Sequence, residues 1–505
     1  MGIEILKPFI NGEYITSKTS KYMDVYDPSI GEVIAQAPCC TVDEVETAIA
    51  AAKAAFPKWS DTPCARRVEV LYKFRDLLIE HMDELTYMIC RENGKNWEEA
   101  EGEVLKVKEP VEVACGAPSL MMGESLMNVT PGFDSTLYRE PIGVFGGIVP
   151  FNFPAMIPMG WMMPMCIATG NTLVLKAASM TPMTSLRIAE LLSQAGLPKG
   201  VVNIITCSRK EANLLLSHPD IRGISFVGST EIGSNIYAQA AANGKRVQCL
   251  CEAKNHALVL DDVPIKRTAA GIINSSFGCA GERCMALPVI AVQEDIADEL
   301  VSEILTQVKT KKIGPAYDKT TDLGPVVTVE HKKSIISWIE KGINEGANLI
   351  LDGRNVVVPG YEKGFFVGHT IFDNVTPEMT IGQREIFGPV LCIKRVKDFE
   401  EGITLMNANP YGNGSVIFTQ SGHYAREFVK RTHGGMVGVN VGIPVPAGMF
   451  PFAGHKLSFF GDLHVLGKDG LRFYTESKVV TTRWFDEEAT KQIKVGTWDG
   501  TVQSK

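Results

Sequence analysis

The chain has 505 residues, too many for one hydrophobic core, so two or three domains are expected. It is 45% hydrophobic and 21% charged, the balance of a globular enzyme. Lys plus Arg total 50 against 58 for Asp plus Glu, and the formal charge of −8 argues against nucleic acid or an anionic membrane as the main partner.

Residues 8–37 alternate short β-type runs with the turn signals Asn11-Gly12 and Asp27-Pro28. Thr41-Val42-Asp43-Glu44 is a capping box and predicts a helix to about Ala55. Apolar residues at helical spacing predict a second helix over 65–93. No charged residue occurs from Pro141 to Leu175, yet Pro150, Pro154, Pro158 and Pro164 interrupt any membrane span. A buried strand, a tight turn and a buried helix account for that stretch better. Strands are expected at 143–149, 171–176, 201–205 and 224–227, with a helix at 184–195. Such alternation means a parallel sheet wrapped by helices. A second α/β region follows from 255 to 448. The tail Leu471–Trp484 is β-branched and aromatic, and is expected to be a strand paired across a subunit boundary, because a long edge must be covered.

Twelve cysteines are scattered, with no CxxC pair and no zinc-type spacing, so no metal is expected. The opening Met1-Gly2-Ile3-Glu4 has no signal-peptide pattern, and the expected setting is a reducing cytoplasm with free thiols.

One cysteine stands out, in Phe277-Gly278-Cys279-Ala280-Gly281-Glu282-Arg283-Cys284-Met285-Ala286. A thiol is a strong nucleophile only as thiolate, and the adjoining Arg283 charge favours that form. Gly278, Ala280 and Gly281 let backbone come close to a substrate. On this segment alone, a buried structural cysteine is the commoner reading. Asn152 lies between Phe151 and Phe153, with prolines flanking the turn. It is either a turn asparagine capping the next helix or a rigidly mounted donor.

Six segments in order reverse those odds: Pro150-Phe-Asn-Phe-Pro154, Lys176-Ala-Ala-Ser179, Phe226-Val-Gly-Ser-Thr230, Ala253-Lys-Asn255, Gly281-Glu-Arg-Cys284 and Glu385-Ile-Phe-Gly-Pro389. Together the chain resembles the aldehyde dehydrogenase superfamily over nearly its whole length. It is most similar to the branch of methylmalonate-semialdehyde dehydrogenases, which acylate coenzyme A, through Ala253-Lys-Asn-His256, Arg283-Cys-Met-Ala286, Phe459-Phe-Gly-Asp-Leu-His464 and Gly467–Glu476.

The resemblance implies an α/β fold of two parallel-sheet domains and a small β extension for oligomerisation. Residues 1–117 and 139–253 would form the nucleotide-binding domain, and 254–450 the catalytic domain. Residues 118–138 and 470–486 would form the extension of a homodimer or homotetramer. Cys284 would attack the aldehyde and form a thiohemiacetal. The Asn152 side chain and the Cys284 backbone N–H would hold the oxyanion. Hydride would pass to NAD or NADP, held by Phe151, Lys176, Ser179, Gly228, Ser229, Glu385 and Phe387. The diphosphate would lie at the helix after Gly228-Ser229. Ser179 stands where many members carry a glutamate for the NAD 2′-hydroxyl, and serine would not repel a 2′-phosphate.

Hydrolytic members use a glutamate at the start of a Glu-Leu-Gly-Gly-Lys run, and aligning on Lys254 puts Leu250 there. Leucine takes no proton from water, so the thioester would wait for coenzyme A as co-substrate. Glu252 and Glu282 are the rival bases, and either would make the enzyme hydrolytic. The branch binds a substrate carboxylate through two arginines. One matches Arg283, and the other position is Lys106, which keeps the charge without the planar fork. A non-catalytic binding protein on the same fold is the third reading.

Overall fold

The computed structural model describes residues 3–484. The first large sheet has eight strands in the order Phe459–Phe460, Arg246–Leu250, Ile221–Val227, Val144–Ile148, Thr172–Lys176, Val202–Ile205, Phe9–Ile10 and Glu13–Tyr14. The middle five are parallel. The chain lays Val144–Ile148, Thr172–Lys176 and Val202–Ile205 outward in one direction. It then returns to place Ile221–Val227 on the other side of the first. That reversal makes a switch point at the carboxyl ends of Val144–Ile148 and Ile221–Val227, where open α/β sheets bind ligands.

The sequence reads correctly here because parallel strands are covered on both faces and become nearly continuous apolar runs. Val202–Ile205 is buried throughout, and so are four of the five residues in Thr172–Lys176.

The second sheet has seven strands in the order Asn348–Leu351, Thr370–Asp373, Val390–Val396, Val289–Gln293, His256–Val259, Gly414–Phe418 and Met436–Val439. All pairs are parallel except the first, which is antiparallel. A third, antiparallel sheet joins Thr475–Arg483, Phe133–Pro141 and Ser125–Thr130.

The capping box is present, with the Glu44 N–H donating to Thr41 Oγ1 and the Thr41 N–H to Glu44. The helix it opens runs past Ala55 to Asp61. The expected helix over 65–93 is two helices, Cys64–Glu80 and Met82–Asn93, broken where His81 leaves helical dihedrals. Apolar periodicity continues through such a kink, so spacing alone misses it. The uncharged stretch is the strand Val144–Ile148, a turn, a π-helix Met156–Met162 and a helix Met163–Ala168. Among the described residues no helix is long and apolar enough to cross a membrane.

The tail differs from expectation at its start. Its start lies in a helix, Gly467–Phe473, and only Thr475–Arg483 is strand. That strand pairs within its own chain, residue for residue along Phe133–Pro141. The hairpin Ser125–Pro141 offered an edge of matching length, which local sequence could not reveal.

Candidate active site

The helix Ile265–Phe277 ends in a 3₁₀ turn, Gly278–Gly281. Cys279 and Ala280 take left-handed backbone with φ of 52° and 50°, and Gly281 follows at 74°. Two non-glycine residues in that region are strained and are held by their surroundings. A Cβ on Gly281 would overlap the Gly388 carbonyl oxygen, so a second backbone crosses there. This crossing joins the Cys284 loop to Glu385-Ile386-Phe387-Gly388. The Cys284 carbonyl accepts from Asn255 Nδ2 at 2.9 Å and from Asn413 Nδ2 at 3.1 Å. Asn255 opens the strand His256–Val259, and Asn413 precedes its neighbour Gly414–Phe418. The middle of the second sheet therefore fixes the cysteine backbone.

Cys284 is half-buried and lines a cavity of 390 Å³ with Phe153, Met156, Trp161, Arg283 and Lys106. Burial and then the Glu385 charge push its thiol up to about 12, while Arg283 and the N–H groups of Cys284 and Met285 pull it down by less. Arg283 favours the thiolate, as expected, but desolvation outweighs the cation. One arm of the Arg283 guanidinium donates to the Asn274 carbonyl at 2.6 Å. Its Nε is buried and has no hydrogen-bond partner among the described residues.

Asn152 is buried at the carboxyl end of the first sheet, and its Nδ2 donates to the Glu282 carbonyl at 3.1 Å. This ties it to the Cys284 loop two residues before the sulfur, with one amide hydrogen left over. Its turn is clamped by a buried ion pair that the sequence did not announce. Lys95 Nζ donates to the Asn152 carbonyl and sits 2.6 Å from Glu103 Oε2, both side chains at 1% exposure or less. Glu103 Oε1 accepts from the N–H groups of Ala155 at 2.8 Å and Met156 at 3.1 Å.

Leu250 ends its strand, is buried, and packs in the same apolar cluster that Cys284 borders. Neither rival carboxylate lines the Cys284 cavity. Glu282 is buried, accepts from the Val327 N–H at 3.2 Å and lies 3.3 Å from His331 Nε2. The strand stops at Leu250, so Glu252 lies beyond it. Its Oε2 accepts from the Thr230 N–H at 3.1 Å, at the start of the helix Thr230–Ala242. Lys106 does reach the cavity, but its ammonium pairs with Glu109 at 2.6 Å.

At the switch point a second cavity, of 250 Å³, is lined by Val149, Pro150, Lys176, Phe226, Gly228 and Ser229. The helix Thr230–Ala242 begins there, and the side chain of its N-cap Ser229 makes no capping bond. Lys176 faces the same space, with its pKa held below the ordinary lysine value by burial. An apolar slot, a cation and a helix N-terminus fit a dinucleotide. Ser179 lies outside this lining, and its buried Oγ lacks a partner among the described residues. Glu385 accepts from the Ala253 N–H at 3.2 Å, and burial and then the Glu252 charge raise it to about 8. The Phe151 and Phe387 rings meet edge to face at 5.8 Å. The structure therefore sets Phe151 against Phe387, brings Glu385 close enough for its charge to act on Cys284, and gathers Lys176, Gly228 and Ser229 around the switch point.

A family model, the aldehyde dehydrogenase family, matches residues 14–480. The chain belongs to the aldehyde dehydrogenase family. It is 49% identical to malonate-semialdehyde dehydrogenase 2 of Oceanobacillus iheyensis over 482 residues, covering 95% of this chain and 99% of that one. The crystal structure of a methylmalonate-semialdehyde dehydrogenase from Oceanimonas doudoroffii matches with a TM-score of 0.95 at 44% identity, over 97% of this chain and 100% of that one. A Sinorhizobium meliloti protein solved with NAD matches with a TM-score of 0.94 at 41% identity, over 96% and 99%. The aldehyde dehydrogenase fold expected from the sequence is the fold observed.

Proposed function

We propose that this aldehyde dehydrogenase oxidises a short aldehyde bearing a carboxylate, of the malonate- or methylmalonate-semialdehyde type, and transfers the acyl group to coenzyme A. The observation that carries the reading is Arg283, whose buried Nε has no partner in the cavity that holds Cys284. A guanidinium left unsatisfied beside a nucleophile suits a planar carboxylate. Lys106 adds a second positive charge, partly neutralised by Glu109.

In this reading Cys284 attacks the aldehyde carbon and forms a thiohemiacetal. The free amide hydrogen of Asn152 and the Cys284 N–H stabilise the oxyanion. A bound NAD or NADP supplies the hydride acceptor. Phe151 and Phe387 would flank the nicotinamide ring, and Glu385 would hold its ribose. Lys176, Gly228 and Ser229 would hold the rest of the dinucleotide. Ser179, with no carboxylate, leaves room for a 2′-phosphate. The resulting thioester would meet no free base: Leu250 is apolar, Glu252 and Glu282 accept from the Thr230 and Val327 N–H groups, and of the carboxylates lining the cavity Glu103 is paired with Lys95 and Glu99 accepts from the Cys279 N–H. It persists until a thiol removes it. The domain limits are proposed as 1–117 with 139–253, 254–450, and 118–138 with 470–486. The last extends past the described residues at 485–486. Its exposed Leu126, Met127, Val479 and Trp484 support a homo-oligomer.

The test is NAD(P)H formation from both semialdehydes, with and without coenzyme A, with the acyl product identified by mass. Steady turnover only with coenzyme A supports acyl transfer. A free acid formed without it makes the enzyme hydrolytic. Arg283→Ala is expected to raise KM for malonate semialdehyde at least tenfold and leave propanal unaffected. An equal effect on both aldehydes removes the anion argument.

A further inference from the structure

Beyond Leu250 the chain leaves the sheet, and the Glu252 side chain turns to the start of the helix Thr230–Ala242, directly after Gly228 and Ser229 of the switch-point cavity. Its position is fixed by backbone. The Cys251 N–H donates to the Ser458 carbonyl at 2.8 Å, and Ser458 Oγ donates to the Glu252 carbonyl at 2.6 Å. From that anchor the Glu252 carboxylate accepts the Thr230 N–H at 3.1 Å, the first N–H of the helix Thr230–Ala242. This N–H belongs to the group that a helix start at a switch point presents to a ligand's phosphate. Among the described residues no Lys, Arg or His forms an ion pair with Glu252. Its charge acts instead on Glu385, Tyr411 and Cys251, raising the pKa of each. Glu385 sits on the neighbouring Ala253 N–H, within range of the Glu252 charge. Lys254, buried with its Nζ unpartnered among the described residues, acts on Glu385.

We infer that Glu252 is an internal occupant of the cofactor's phosphate seat and sets how tightly this chain binds a nicotinamide dinucleotide. This rests on the reading of the crevice as the dinucleotide site. The diphosphate and the Glu252 carboxylate contend for one N–H and repel one another across it. Binding therefore requires the Glu252 side chain to swing out of the crevice. A ligand that fills the apolar slot without bringing a phosphate meets no such contest.

Binding is measured directly, by calorimetry, on the full chain without aldehyde or coenzyme A. NAD and adenosine are titrated into the unaltered protein, Glu252→Gln and Glu252→Gly. Glutamine keeps the length and removes the charge, and glycine removes the side chain. Circular dichroism confirms that each variant is folded. The expected result is at least a tenfold tighter Kd for NAD in both variants, with adenosine unchanged. Unchanged or weaker NAD binding in both variants, with adenosine still bound, overturns the role of Glu252 and leaves the crevice intact. An equal gain for NAD and adenosine also overturns it, because relief would then be steric rather than electrostatic. Failure of the unaltered chain and both variants to bind either ligand refutes the crevice itself.

Discussion

Lys95 is the residue on which the oxyanion turn depends most. Its ammonium lies 2.6 Å from Glu103, donates to the Asn152 carbonyl, and stands 3.8 Å above the Phe153 ring. Both side chains are essentially out of water. Lys95→Met keeps much of the volume and removes the charge, so it leaves a buried carboxylate with only the Ala155 and Met156 N–H groups. Breaking one half of a buried pair costs about 3–5 kcal/mol. Losing a donor to the Asn152 carbonyl adds roughly 1 kcal/mol. Urea unfolding followed by tryptophan fluorescence reads the sum. Lys95→Met with Glu103→Leu removes both charges and is expected to recover more than half of the loss, since apolar replacement of a whole buried pair is often neutral. The turn is also expected to lose its position, with kcat falling about tenfold or more in Lys95→Met. A loss below about 1 kcal/mol with unchanged kcat would refute the claim that this pair holds the turn.

Asn152→Ala is expected to lower kcat by about 10²–10³ with little change in aldehyde KM, because the amide acts on the developing oxyanion; equal kcat in steady-state assays removes it from the site. Gly281→Ala places a methyl against the Gly388 carbonyl at φ 74°, and is expected to cost about 1–3 kcal/mol in urea unfolding and to slow turnover. Glu385 sits at about 8 in the fold against an ordinary 4.5. The folded chain therefore keeps a proton that the unfolded chain has lost, and its stability contribution declines as pH rises from 4.5 to 8, then levels. Glu385→Gln is expected to flatten that decline in unfolding measured at pH 5.5, 7 and 8.5; an unchanged slope would place the titration elsewhere.

The sequence by itself determined the two parallel sheets, because their strands are covered on both faces and must be apolar along their length. It also determined the capping box, whose two hydrogen bonds lie within four residues. Family likeness pointed to Cys284, Asn152 and the Glu385 loop through short motifs, each a local matter of spacing. What those residues experience was decided by the tertiary structure alone. Arg283 is next to Cys284 in sequence, yet burial and the Glu385 charge, from a loop about a hundred residues on, govern the thiol. Glu252 is two residues past Leu250, but the strand ends between them and the side chain answers to a helix that starts at Thr230. The Lys95–Glu103 clamp was invisible because its third member, the Asn152 carbonyl, is 57 residues from Lys95. Hydrophobic patterning is written along the chain, whereas electrostatics depends on distance through space, and only the fold supplies that.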